Sequence, residues 1–268
     1  MLKDVTIGQY FPGDTALHRL DPRTKLLAVI VYIVALFLAK WYVSYALVLA
    51  FLVFAVAVSR VRPKVLLKSL RPILIIIILT GVLNLFYSKG DHVLVSFWII
   101  RITREGLENA FFMILRIVML ILGTFLLTYT TSPIALTDGL EQLLRPLAKL
   151  RVPVHELSMM MCIALRFIPT LMEETDKIIS AQKARGADFE TGNLVRRAKA
   201  LIPILVPLFI SSFRRADELA TAMECRCYHG GEGRTKLKQL RYTAADFAAF
   251  GVMLALLAAV IVLRRMGL

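Results

Sequence analysis

The chain is 268 residues long, 58% hydrophobic and only 19% charged, with a mean hydropathy of +0.69. Those values exclude an ordinary water-soluble globular protein. A formal charge of +14 would point to nucleic acid in a soluble chain, but no stacking aromatics interleave the basic clusters, so no nucleic-acid partner is expected and the excess reads as basic loops beside an anionic inner leaflet.

The three cysteines, Cys162, Cys225 and Cys227, make no disulfide framework and fit a reduced cytoplasmic setting. The opening MLKDVTIGQYFPGD lacks the basic and apolar regions of a cleaved signal, so the first apolar run is expected to stay as a membrane span. Residues 1–24 are polar and turn-rich. Asp21 then offers an N-cap and Pro22 a first helical residue whose missing N–H costs nothing. An apolar run from Leu26 to Ala39, an interfacial turn at Lys40, Trp41 and Tyr42, and a second run from Val43 to Val58 predict a transmembrane hairpin.

The following loop carries Arg60, Arg62, Lys64, Lys68 and Arg71 without an acid, which places it and the N-terminus on the cytoplasmic side. A third span is expected from Ile73 to Tyr87. The outer segment from Ser88 to Glu108 contains LVSFWII, readable as a short strand or an interfacial amphipath. A fourth span runs from about Ala110 to Thr130 and contains Arg116, which must either snorkel to the interface or find a polar contact, between helices or with a partner subunit.

From Ser132 to Tyr242 charged residues return while apolar ones keep a three-to-four spacing, the pattern of amphipathic helices. The first is expected over Pro133–Leu150. The second runs from Val154 to about Arg185, about 48 Å at helical rise, bent at Pro169. The third runs from Leu194 to about Arg226, and its centre LIPILVPLFI is apolar all round but too short to span, so burial among other helices is expected. A last span covers Ala244–Leu263. Five spans leave Arg264 and Arg265 outside, with the earlier basic loops outvoting the tail. The expected fold is all-α: a polytopic membrane protein with about five transmembrane helices and long amphipathic cytoplasmic coupling helices. Its segments are 1–130, 131–243 and 244–268.

The second and third amphipathic helices end in AQKARGAD and AMECRCYHGGEGR. Each places an arginine between two small residues at a helix end: Ala184, Arg185, Gly186 and Cys225, Arg226, Cys227. One reading is a helix cap, with Gly186 left-handed and the arginine complementing the last carbonyls. The other is docking: small neighbours let a second backbone approach while the guanidinium pairs with a partner's carboxylate. Met159, Met160 and Met161 offer an adaptable surface for exchangeable partners, or simple core filling. Cys225, Cys227 and His229 have metal-ligating chemistry but no fourth ligand and no common zinc spacing, so no metal site is expected. No phosphate-binding loop, HExxH or nucleophilic triad is present, and no enzymatic activity or cofactor is expected.

Three stretches resemble the transmembrane T component of energy-coupling factor (ECF) transporters: IGQYFPGDTALHRLDPRTKL (Ile7–Leu26), LRFIPTLMEETDKIISAQKARGAD (Leu165–Asp188), and the second arginine motif with its following YHGGEGRTK. The resemblance covers nearly the whole chain. It implies a multi-pass subunit of a prokaryotic cell membrane that sits between two ABC-type ATPase subunits and a substrate-binding S component, importing vitamins or other micronutrients. The two arginine motifs would dock into the ATPases. The family pattern is Ala-Arg-Gly at both ends, and Cys225 and Cys227 depart from it. Arginine and small neighbours survive, but cysteine suits a left-handed cap less well than glycine. The rival reading is a self-contained transporter or channel lined by Arg116, Asn84 and the proline-broken helices.

Overall fold

A computed structural model describes residues 10–87, 93–97, 100–189, 193–231 and 239–267. Contacts divide the chain into two compact units, Gly8–Leu140 with Leu240–Leu268, and Glu141–Gln239.

In the first unit the short helix α1 (Ala16–Arg19) precedes α2 (Pro22–Leu38), which starts as the sequence requires: the Asp21 carboxylate accepts from the Arg23 amide, and Pro22 holds the first position. Helix α3 (Tyr42–Ser59) completes the hairpin. The basic segment after it is not a plain loop. Pro63 initiates α4 (Pro63–Leu70), which buries Leu66, and Pro72 forces one 3-10 turn (Arg71–Ile73) before α5 (Leu74–Tyr87). Strands β1 (Val93–Phe97) and β2 (Ile100–Thr103) pair antiparallel, so the strand reading of LVSFWII holds at its described residues, while Trp98 and Ile99 lie outside them. Helix α6 (Arg104–Thr130) begins earlier than its apolar run because Thr103 caps it, accepting from the Gly106 amide at 3.1 Å. Helix α10 (Ala244–Met266) closes the unit with a capping box at Thr243 and Asp246.

Helices α2, α3, α6 and α10 share one core around Tyr32, Leu36, Tyr45, Val48, Met119, Met253 and Val260. The Tyr32 hydroxyl donates to the Met119 carbonyl at 3.0 Å, and Gly123 leaves the ring the space a side chain would take. Arg116 donates to the carbonyl of Ala39 at 3.3 Å and lies 5.7 Å from the rings of both Phe37 and Tyr45. It is thus a contact between α6 and the end of α2, the second of the two readings for that residue.

One end of this bundle is tied by polar groups. The Asp246 carboxylate accepts from the amides of Asp21 and Thr243, both at 2.8 Å, and from the Thr243 hydroxyl at 2.7 Å. Asp21 pairs with Arg23 at 3.0 Å, and that guanidinium lies 4.2 Å from the centre of the Tyr242 ring. Buried Lys25 donates to the carbonyls of His18 at 3.1 Å and Thr130 at 2.9 Å. The starts of α2 and α10 and the end of α6 therefore lie together, and α10 runs parallel to α2. Arg264 and Arg265 stand at the opposite end from this cluster, as the five-span count requires.

Helix α7 (Pro133–Leu144) begins in this unit, with Gly139 packed so closely on Pro22 that a Cβ would sit 2.9 Å from the proline ring. It stops short of the expected Leu150, because Pro146 lacks an N–H and turns Arg145–Leu150 into a 3-10 segment. In the second unit two 31-residue helices, α8 (Val154–Ala184) and α9 (Leu194–Glu224), pack together. Among the described residues, the five helical stretches long and apolar enough to cross a membrane are Tyr42–Ser59, Pro63–Leu85, Gly106–Thr130, Val154–Ala184 and Ala244–Met266. Helix α2, with 17 residues, is at the short end of the range for a span. Helix α8 qualifies through its first half alone, since Glu173, Glu174, Asp176, Lys177 and Lys183 crowd its second.

Candidate functional site

Helices α8 and α9 run antiparallel. Glu174 of α8 pairs with Arg215 of α9 at 3.2 Å, while Gln182, two turns further along α8, donates to the carbonyl of Pro203, three turns earlier on α9. The end of α8 thus lies towards the start of α9. Arg226 stands 23 residues beyond Pro203, roughly 35 Å along the helix at 1.5 Å per residue. The two arginine motifs sit at opposite ends of the pair.

Both ends close in the same way. At α8 the Gly186 amide donates to Lys183 at 3.0 Å and the Ala187 amide to Gln182 at 3.0 Å. At α9 the Cys227 amide donates to Glu224 at 2.9 Å and the Tyr228 amide to Met223 at 3.1 Å. This is the double-bonded helix cap that needs one left-handed residue, and Gly186 (φ 84°) and Cys227 (φ 55°) are those residues. Backbone amides therefore satisfy the last carbonyls, and the arginines are not needed for it. Ala184, Arg185, Gly186, Cys225, Arg226 and Cys227 are all exposed, and neither Arg185 nor Arg226 pairs with a carboxylate among the described residues. Two planar cations with small neighbours are held out on rigid supports, an arrangement suited to bidentate carboxylate recognition.

The chain beyond the second tip folds back onto the start of α8. Gly231 packs flat against the His155 ring, whose Nδ1 lies 3.1 Å from Glu141, and the Ser158 hydroxyl donates to the same carboxylate at 2.8 Å. Sequence reasoning missed this anchor and the Asp21, Lys25, Asp246 cluster alike. The only signal for the second was charge placed at the mouths of apolar runs.

Of the three methionines, Met160 and Met161 are exposed and Met159 half-buried, beside exposed Leu157. The centre of α9 corrects the expectation of burial: Leu201, Ile202, Leu205, Val206, Phe209 and Ile210 are exposed, and Ile204 alone among its apolar residues is buried. A single neighbouring helix covers only one stripe of a cylinder. The proposed pathway residues are engaged locally, since Asn84 donates to the Thr80 carbonyl of its own helix and Arg116 caps α2. Among the described residues no three His, Cys, Asp or Glu side chains converge as metal ligands, Cys225, Cys227 and His229 included.

Comparison with known proteins gives a consistent answer. Residues 13–237 match the family described as cobalt transport protein (CbiQ). The chain is 58% identical over 249 residues to the energy-coupling factor transporter transmembrane protein EcfT of Thermosediminibacter oceani, covering 93% of this chain and 94% of that one. It is 57% identical over 250 residues to the protein of the same name from Clostridium kluyveri, with 93% of each chain covered. With that of Bacillus subtilis it shares 48% identity over 264 residues, 98% of this chain and all of the other.

Proposed function

The chain belongs to the transmembrane T components of energy-coupling factor transporters, within the cobalt transport protein family, and from that premise we propose that it couples two ABC-type ATPase subunits to a substrate-binding S component for vitamin or micronutrient uptake. It is a transport subunit of a prokaryotic plasma membrane, not an enzyme in its own right. The N-terminus and the segment 131–243 face the cytoplasm, where the ATPases are, and 1–130 and 244–268 supply the membrane-embedded part.

The observation that carries the reading is the pair of matched helix ends presenting Arg185 and Arg226 to solvent at opposite ends of two packed, antiparallel helices. Each guanidinium enters a groove on one ATPase and pairs with a carboxylate there, the small neighbours letting the groove close around it. When ATP draws the ATPases together the tips move with them. Long helices turn a small rotation at one end into a larger displacement elsewhere, a shear of packed helices. The exposed apolar stripe of α9, with Met159, Met160 and Met161 on α8, is the surface for the S component, since apolar area of that extent marks an interaction site. Unbranched methionines adapt to more than one partner.

The test is Arg185→Glu with Arg226→Glu, followed by affinity purification through the ATPases and by ATP-dependent uptake in vesicles. Both assembly and uptake are expected to be lost. Persistence of both would overturn the docking role.

A further inference from the structure

The N-terminal segment and the turn between α3 and α4 line an open cavity of about 580 Å3, within the ~300–1,000 Å3 typical of small-ligand sites. Several of its polar groups are already engaged. His18 Nε2 donates to the Phe11 carbonyl, 3.1 Å away, and Nδ1 shares a hydrogen bond with the Thr15 hydroxyl at 2.6 Å. The Ser59 hydroxyl donates to the Val56 carbonyl at 2.7 Å and accepts from the Val61 amide at 3.2 Å. What remains in the wall is two guanidiniums, Arg60 and Arg62, against one carboxylate, Asp14. Arg60 caps α3 with φ 53°, a left-handed conformation in which glycine is favoured. The chain sets a cation there despite that cost.

Two further spaces adjoin the polar wall. Asp14, Thr15 and Arg60 also line a second space that extends along α3 past Phe54, Ala57 and Val58. Phe54 and Val58 in turn line a third, of about 190 Å3, between α1, α2, α3, α6 and α10, walled almost wholly by apolar atoms. An apolar cavity stays dry and accepts an apolar guest. A cationic bowl at the end of a membrane helix thus neighbours a hydrocarbon-lined space, with Phe54 and Val58 between the two.

We propose that this is a site for one phospholipid of the surrounding bilayer, its phosphate held between Arg60 and Arg62 and one acyl chain passing Phe54 and Val58 into the apolar cavity. Planar guanidiniums match phosphate oxygens in pairs. A soluble phosphate compound would leave the apolar part unfilled, and the bilayer supplies a ligand with both chemistries. The inference does not depend on the coupling role proposed above.

The experiment places the full chain, with the subunits that co-purify with it, in vesicles of phosphatidylglycerol and phosphatidylethanolamine. These contain a trace of phospholipid carrying a photoactivatable group on one acyl chain, or in a parallel arm the corresponding fatty acid. Cross-links are expected to concentrate on peptides containing Phe51–Val58 and Val252–Met253 and to exceed those on other lipid-facing helices. Arg60→Ala with Arg62→Ala should lower them about ten-fold, equivalent to one lost charge-assisted contact. Ala55→Phe, which narrows the apolar cavity and leaves both arginines in place, should lower them independently. Even labelling across all lipid-facing helices would overturn the proposal. So would labelling indifferent to both variants, or stronger labelling by the fatty acid. The pattern in the unaltered protein decides alone if a variant fails to accumulate.

Discussion

Cys227 occupies at the end of α9 the left-handed position that Gly186 occupies at the end of α8, and makes the same backbone hydrogen bond to a carbonyl three residues earlier. A side chain at that conformation costs roughly 1–2 kcal/mol, partly offset by the flexibility that glycine brings to the unfolded chain. Cys227→Gly is therefore expected to stabilise the protein by about 0.5–1 kcal/mol, and Gly186→Cys to destabilise it by a similar amount. Thermal unfolding of the two variants in detergent, read side by side, gives the signs.

Cys225 and Cys227 are exposed on either side of Arg226, whereas Cys162 is half-buried within α8. In the isolated chain both exposed thiols should react with a maleimide faster than Cys162. If Arg226 enters a groove on an ATPase, assembly should slow their labelling at least about ten-fold while leaving that of Cys162 unchanged. Equal labelling of Cys225 and Cys227 before and after assembly would remove this tip from the interface.

The Asp246 carboxylate accepts three hydrogen bonds, one from the Asp21 amide that joins the start of α2 to that of α10 and two from Thr243 that cap α10. Asp246→Ala leaves the buried Asp21 amide and the Thr243 amide without an acceptor and removes a helix cap, a loss of about 2–4 kcal/mol. The expected outcome is a fall of several degrees in the unfolding midpoint and less protein in the membrane fraction. Asp246→Asn retains one acceptor oxygen and should lie between.

Gly139 and Gly251 form a second contrast. A Cβ at Gly139 meets Pro22 and the amide of Arg23, while one at Gly251 meets nothing within 4 Å. Gly139→Val should separate α7 from α2 and destabilise by about 1–3 kcal/mol. Gly251→Val should be close to neutral, and the thermal midpoint measures both.

What the sequence makes legible follows the range of the interaction. Asp21 and Pro22 announce a helix start because cap and proline act within a turn, and the ends of α8 and α9 are visible for the same reason. Pro146 belongs to the same class of signal, and ignoring it extended α7 by six residues, the 3-10 segment Arg145–Leu150. Neither the Lys25 bond to Thr130, 105 residues away, nor the Asp246 bond to Asp21 has a local signature, since a buried ion is defined by what surrounds it. The centre of α9 failed differently. Apolar residues on every side predict that something covers the helix, and the chain itself supplies too little surface to do so.

The pairing of α2 with α10 also bears on how the protein is made. Asp21 waits for a partner 225 residues later in the chain, so the inserted hairpin of α2 and α3 has no closed core until α10 has been made. A ribosome stalled before Asp246 would leave Asp21 and the apolar flank of α2 open in the bilayer, and membrane quality control would meet a half-built bundle.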